Sequence, residues 1–183
     1  SMFGAPAVRN MATVGGNLFA PTPYGDFTVA LLALDATVAL QGGFGSRDIP
    51  IEEFLQSRER QAGALVLSVS CTRPTSAEAF RYRKIARIKP KGGSVITLAA
   101  HLPISGGRVA GARIALGSMA PTQIRARAAE RALEGRSLDA ATVAAAASAA
   151  AEGTSPSDNA LGSAWYRREI VGVHLRRLLL GQE

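Results

Sequence analysis

Arg9-Asn10-Met11-Ala12-Thr13-Val14-Gly15-Gly16-Asn17-Leu18, continued by Ala20-Pro21-Thr22-Pro23-Tyr24-Gly25-Asp26, is the stretch on which the chain is read. Two adjacent glycines let backbone N–H groups approach a bound group without interference from Cβ. Thr13 and Asn17 flank them with hydroxyl and amide donors. Such an arrangement suits an anion, and a phosphate is the usual one. A Gly-Gly pair also serves as a plain turn, so on chemistry alone both readings stay open. The Pro-X-Pro-X-Gly-Asp segment turns the chain and presents Asp26 as N-cap of a helix over the apolar run that follows.

Working outward, the chain has 183 residues, enough for one large domain or two small ones. An apolar fraction of 47% supports a packed core. No run of 18 apolar residues occurs, so no transmembrane helix is expected. No signal peptide is visible, and Ser1-Met2 reads as a cleavage scar before an initiating Met. The single cysteine, Cys71, cannot form an internal disulfide or a cysteine-held iron–sulfur cluster. It reads as a small buried hydrophobe in a cytoplasmic protein. His101 and His174 have no carboxylate or thiolate beside them at ligand spacing, and no metal is expected. The net charge of +7 suits nucleic acid, an acidic membrane or an acidic protein partner. Its densest cluster, Arg81 to Lys91, has the composition of a phosphate-binding or partner-binding surface. No nucleic-acid motif accompanies the charge, so neither nucleic acid nor membrane is expected as a partner.

The element pattern predicts mostly loop to Asp26, a helix over Phe27–Ala36, and strands over Thr37–Gln41 and Arg47–Ile51. A helical turn follows at Ile51–Leu55, and then a buried strand over Ala64–Cys71. Pro74 to Ala79 reads as a linker. Beyond it come strands Phe80–Ile88, Ser94–Ile104 and Arg108–Leu116, the last two joined by a Gly106-Gly107 turn. Pro90-Lys91-Gly92-Gly93 is a further turn. Helices are expected over Gln123–Leu133, capped by Thr122, over Leu138–Ala151 and over Ser163–Leu180. In the last, Leu161, Ala164, Trp165, Val171, Leu175, Leu178 and Leu179 form one apolar stripe, interrupted by Arg168. No Gly-X-Gly-X-X-Gly, no Gly-X-Ser-X-Gly and no plausible Ser/His/Asp set occurs. Glu52-Glu53 read as helix-capping acids rather than a catalytic pair.

The opening stretch resembles the second flavin-binding motif of the FAD subunit of molybdenum hydroxylases, the carbon monoxide dehydrogenase medium subunit and the xanthine dehydrogenase flavin domain. That family carries Arg-Asn-X-Ala-Thr-(Ile/Val)-Gly-Gly-Asn-Leu, then Pro-X-(Gly/Ser)-Asp and a Leu-Leu-Ala-Leu-Asp-Ala helix. Here the helix reads Leu31-Leu32-Ala33-Leu34-Asp35-Ala36. The likeness continues in Ala120-Pro121-Thr122 and Trp165-Tyr166-Arg167-Arg168, and so covers nearly the whole chain.

The resemblance implies an α+β fold in two modules. Residues 1–78 would be the second subdomain of a two-subdomain FAD-binding fold. Residues 79–183 would be a carbon monoxide dehydrogenase flavoprotein C-terminal-like domain, a three-stranded antiparallel sheet with a three-helix bundle. It implies an FAD-binding oxidoreductase subunit passing electrons from iron–sulfur and molybdopterin subunits to NAD, a quinone or oxygen. Thr13, Gly15, Gly16 and Asn17 fall on the pyrophosphate-contacting string, Asp26 on the residue that binds sugar or ribityl hydroxyls, and Lys84 on a lysine approaching the isoalloxazine. Tyr82 shares its strand face. Gly92 and Gly93 stand where the family has an Asp and a bulky residue, which removes any flavin contact by that side chain. The family's first subdomain carries an Ala-Gly-Gly-(Thr/His)-(Asp/Ser)-Leu loop, and no such string occurs here. The expectation is that this chain holds FAD weakly or not at all. The alternative is a truncated or degenerate homologue that binds no flavin and serves as an interaction module.

Overall fold

A computed structural model describes residues 6–43, 45–61, 63–88 and 92–182. Ser1-Met2 and the Pro90-Lys91 part of the predicted turn lie outside the described residues. The first half begins with two short helices, α1 (Pro6–Met11) and α2 (Val14–Leu18), where loop is expected from the glycines. The α2 turn forms because Thr13 caps it: its Oγ1 accepts from Gly16 N at 2.9 Å. Next come α3 (Asp26–Ala33), β1 (Thr37–Gly42), β2 (Gly45–Pro50), α4 (Ile51–Gln56), a 3₁₀ turn at Arg58–Gln61, and β3 (Leu65–Ser70). The strands form an antiparallel sheet in the order β2-β1-β3.

The second half contributes β4 (Phe80–Ala86), β5 (Ser94–His101), β6 (Ile104–Ser105), β7 (Arg108–Val109), β8 (Arg113–Gly117) and β9 (Ile124–Arg125). Three helices follow: α5 (Arg127–Leu133), α6 (Ala140–Ser148) and α7 (Ala164–Leu179). Its main sheet has four antiparallel strands, β4-β5-β8-β9, where three were expected. Ile124 and Arg125 pair with β8 instead of opening the helix, so α5 starts at Arg127 and Thr122 does not cap it. The Gly106-Gly107 turn does make a hairpin, with both φ positive (56° and 76°), but its arms are only β6 and β7. The long strands β5 and β8 pair beyond it.

The α3 helix is apolar beyond Asp26 and Thr28 and is covered all round. Residues 28–33 are buried. Val29, Leu31 and Leu32 share one core with Val38 and Leu40 of β1, Phe54 and Leu55 of α4, and Ala99 and Ala115 of the second sheet. The small residues on that sheet face let the helix approach: a Cβ on Gly117 would stand 2.8 Å from Val29 Cγ2. On the other face Ile96, Leu98, Ile114 and Leu116 pack with Leu133, Val143, Val171 and Leu175 of the three helices. The layers therefore run first sheet, α3, second sheet, helices. The Ala-rich α6 finds its close neighbour at Gly172, where a Cβ would lie 2.6 Å from Ala147 O.

Three burial expectations need correction. The strand β3 is exposed on one face, with Leu65 64% and Leu67 53% accessible, because only Val66 and Val69 turn toward the core and the outer face carries no covering layer among the described residues. Cys71 just beyond it is exposed as well. In α7 the buried arginine is Arg167, whereas Arg168 and Trp165 face outward. Successive helical residues turn by about 100°, which sets Trp165 on the far side once Arg167 points inward. The Arg167 guanidinium donates to Val95 O (2.9 Å), Ser157 O (2.5 Å), Gly162 O (2.7 Å) and Asn159 Oδ1 (2.7 Å), binding the 157–162 loop to β5.

Candidate functional site

A cleft of about 830 Å³ opens between α1, α2, the loop before α3, Lys84 of β4 and the Gly92–Ser94 segment. Of the residues singled out in the sequence, Thr13, Gly16, Asn17, Asp26 and Lys84 all line it. Gly15 does not. It faces β3, where a Cβ would touch Val66 Cβ at 3.4 Å, so its smallness serves packing of α2 on the sheet. At Gly16 a Cβ would sit 3.0 Å from Thr13 Oγ1 and crowd the cap. Of the first amides of α2, which helix geometry leaves without an intrahelical acceptor, that of Gly16 is taken by Thr13 Oγ1.

Asn17 braces this wall. Its Oδ1 accepts from Thr28 N at 3.1 Å, which couples α2 to α3. The loop between them is tied from three sides. Arg58 Nη1 donates to Ala20 O at 2.8 Å, Thr22 Oγ1 to Pro121 O at 2.9 Å, and Gln123 Nε2 to Tyr24 O at 3.1 Å. The last two join the opening stretch to Pro121 of the Ala120-Pro121-Thr122 string and to Gln123 just after it, so segments about a hundred residues apart meet in one place. Gly25 takes the N-cap position of α3 with φ of 89°, and Asp26 becomes the first helical residue rather than the cap. Its carboxylate is claimed elsewhere. Lys84 Nζ lies 2.8 Å from Oδ2, while Ser94 Oγ (2.5 Å) and Thr97 Oγ1 (3.0 Å) donate to Oδ1.

Tyr82 stands behind this network. Burial, and then the negative charge of Asp26, push its hydroxyl well above the ordinary phenol range, so it stays neutral. The apolar side of the cleft is formed by Val8, Met11, Val14, Tyr24 and Phe27. Met11 is 85% exposed and Tyr24 61%, a surface that calls for a cover. At the mouth, Gly92 and Gly93 present bare backbone. A Cβ at Gly92 would fall 2.5 Å from Ile88 O, and one at Gly93 2.9 Å from Leu161 Cδ1. No side chain reaches the cleft from this pair, as their identity implied. The bracing by Thr28, Ser94 and Thr97 escaped sequence reading, since nothing local marks those hydroxyls. Among the described residues no group of three His, Cys, Asp or Glu gathers at metal-binding distance, and no helix is long and apolar enough to cross a membrane.

Polar donors at one end and an apolar wall beside them fit a ligand with phosphates and a flat ring system. Comparison with known proteins points the same way. Residues 1–71 match the model of the FAD binding domain in molybdopterin dehydrogenase, and residues 81–181 that of the CO dehydrogenase flavoprotein C-terminal domain. The carbon monoxide dehydrogenase medium chain of Afipia carboxidovorans is 32% identical over 94% of this chain and 60% of its own. The 6-hydroxypseudooxynicotine dehydrogenase complex subunit alpha of Paenarthrobacter nicotinovorans is 32% identical over 95% of this chain and 60% of its own. Reconstituted CO dehydrogenase from Oligotropha carboxidovorans superposes with a TM-score of 0.87 at 29% identity, over 98% of this chain and 63% of that one. The chain thus spans about 60% of the length of the curated relatives it matches. It belongs to the CO dehydrogenase flavoprotein family, with the FAD-binding domain of molybdopterin dehydrogenases preceding the flavoprotein C-terminal domain.

Proposed function

We propose that this chain is the flavin-holding part of an electron-transferring medium subunit of a molybdenum hydroxylase, with its two modules meeting at residues 74–79. The carrying observation is the convergence of Thr13, Gly16, Asn17 and Lys84 with an apolar wall on one cleft, in a chain of this family. FAD, when bound, supplies the redox chemistry, taking electrons from an iron–sulfur partner chain and passing them to NAD, a quinone or oxygen. The substrate is handled by a molybdopterin-bearing partner.

The residues here bind and orient. The amides before Gly16 in the Thr13-capped turn would face the pyrophosphate, and Lys84 supplies a positive charge at the cleft. Val14, Tyr24 and Phe27 would shield the ring from water. Among the described residues one helix-capping glycine turn, at Thr13–Gly16, lines the cleft to meet the two negative charges of the pyrophosphate, and their desolvation must be matched by hydrogen bonds. Losing about two charge-assisted bonds costs roughly 3–6 kcal/mol, or on the order of 100-fold to 10,000-fold in affinity. Weak, saturable FAD binding is therefore expected by fluorescence titration, with riboflavin, which lacks the phosphates, weaker still. Absence of saturable binding overturns the flavin reading. It would favour the alternative, an interaction module, for which the exposed β3 surface speaks.

A further inference from the structure

Helix α7 buries one face and leaves the other bare. Its outer side carries Trp165, 70% exposed, with Tyr166 at 44% and Val173 at 51%. Turning by about 100° per residue, the helix sets Trp165, Tyr166, Glu169, Val173, Arg176 and Arg177 within about a third of its circumference, over a length of about 18 Å. It holds four arginines and one acid, Glu169, and of the arginines only Arg167 is buried. Among the described residues no carboxylate pairs with Arg168, Arg176 or Arg177. The edge strand β4 adds to this field. Arg81 Nη1 donates to Leu178 O at 3.1 Å, Arg83 Nη2 to Gln182 O, and Arg87, just past the strand, to Ala160 O at 3.4 Å. These bonds lay three more guanidinium groups along α7.

Exposed Trp, Tyr and Arg are the residue types on which protein interfaces concentrate their binding energy. The excess of arginine calls for an acidic partner, since complementary charge speeds encounter and fixes register. Glu169 separates protein from nucleic acid. It stands one turn from both Trp165 and Val173, in the middle of the face, where it would repel a phosphate backbone. A protein surface can set a lysine or arginine opposite it. Leu161, three residues before α7, stands against Gly93 at the mouth of the cleft: a Cβ on Gly93 would lie 2.9 Å from Leu161 Cδ1. The Trp165 end of the face therefore adjoins the opening through which electrons would reach a ring held inside.

We infer that the outer face of α7, with the β4 arginines at its side, is the docking surface for the electron-supplying iron–sulfur chain, which meets it with carboxylates for Arg176 and Arg177 and an apolar pocket for Trp165. The identity of this partner rests on the electron-transfer reading above, whereas the fit of the face to an acidic protein does not.

Trp165 is the chain's one tryptophan, so fluorotryptophan labelling gives a single ¹⁹F signal in the middle of this surface. Unlabelled iron–sulfur chain, carrying its clusters, is titrated in at low salt. A saturable shift of the signal is expected, together with loss of its sensitivity to exchange of H₂O for D₂O. The pair Arg176→Glu and Arg177→Glu weakens binding by roughly tenfold or more, as does added salt. The pair Arg131→Glu and Arg136→Glu, an equal change of charge at α5, weakens it by less than about threefold, since screening confines the effect of a charge to its neighbourhood. Circular dichroism shows that each variant keeps its fold.

No binding, binding that leaves the signal in place, or equal losses from the two charge pairs would overturn the inference. So would a shift produced by the molybdopterin chain or by a DNA duplex but not by the iron–sulfur chain. FAD is titrated into the same sample. A shift without saturable FAD binding keeps the surface and fails the flavin reading, and FAD binding without a shift fails the surface alone.

Discussion

Asn17 Oδ1 accepts from both the amide and the hydroxyl of Thr28, at 3.1 and 3.0 Å, and Thr28 is fully buried. The amide oxygen of this glycine turn is thereby turned inward, onto the next helix. Asn17→Ala removes the side-chain acceptor and leaves the Thr28 hydroxyl with the backbone carbonyl of residue 17, and its amide with Gly25 O. It should lower stability by about 0.5–1.5 kcal/mol, the net worth of a hydrogen bond whose donors keep another partner. Thermal denaturation checks this, and a melting curve identical to wild type would refute the brace.

Arg167 and Arg168 are adjacent, yet only Arg167 is buried. Arg167→Met removes donors from three carbonyls and one side-chain amide. Roughly 3–5 kcal/mol of stability should be lost, as when a buried charged network is broken. Arg168→Met, on the exposed face, should change stability by no more than about 0.5 kcal/mol. Urea denaturation of the two variants side by side is the measurement.

Gly117 sits where α3 crosses β8. The Cβ of Gly117→Ala would press on Val29 Cγ2 at 2.8 Å, and Val29 is itself 1% exposed with a stiff, branched side chain. Overpacking should cost about 1–3 kcal/mol. Gly43→Ala makes the control, since no atom lies within 4 Å of its Cβ. Equal melting temperatures for the two would contradict the packing described.

The exposed Leu65 and Leu67 on an edge strand predict self-association. Leu67→Lys should lower the light scattering of concentrated protein while leaving thermal stability within about 0.5 kcal/mol. Undiminished scattering would place the sticky surface elsewhere.

Asp139 caps α6, accepting from Thr142 N at 2.8 Å, and hydrogen bonds from the Thr142 backbone and side chain hold its carboxyl below the usual aspartate range. A depressed pKa stabilises the fold above the unfolded-state value and loses that contribution as pH falls through the folded one. Asp139→Asn, which keeps the cap oxygen, should therefore flatten the acid limb of the stability curve below about pH 4. Parallel acid limbs for the two proteins would remove this assignment.

Much of this was legible from residues alone, where a local rule has only one outcome. Two consecutive glycines with positive φ made the β6–β7 turn, and a run from Phe27 to Leu34, apolar but for Thr28, made a helix wedged between layers. The reading failed where the outcome depends on distant neighbours. Leu65-Val66-Leu67 has the composition of a buried strand, but composition does not say whether a second layer covers its outer face. Asp26 stands in helix-capping position, yet Lys84, Ser94 and Thr97 claim its carboxylate from far along the chain. The choice between Arg167 and Arg168 rests on carbonyls in the 157–162 loop, which no side-chain pattern announces.

The placement of α3 between the two sheets has a practical meaning for dissection. Ala99 and Ala115 of the second half complete a core whose other members precede residue 56. Cutting the chain in the exposed stretch 75–78 would leave each piece with an apolar face that only the other fits. The molecule is thus suited to fragment complementation: two separately expressed pieces should each stay unfolded or aggregate, and recover the native circular dichroism when mixed at equal amounts.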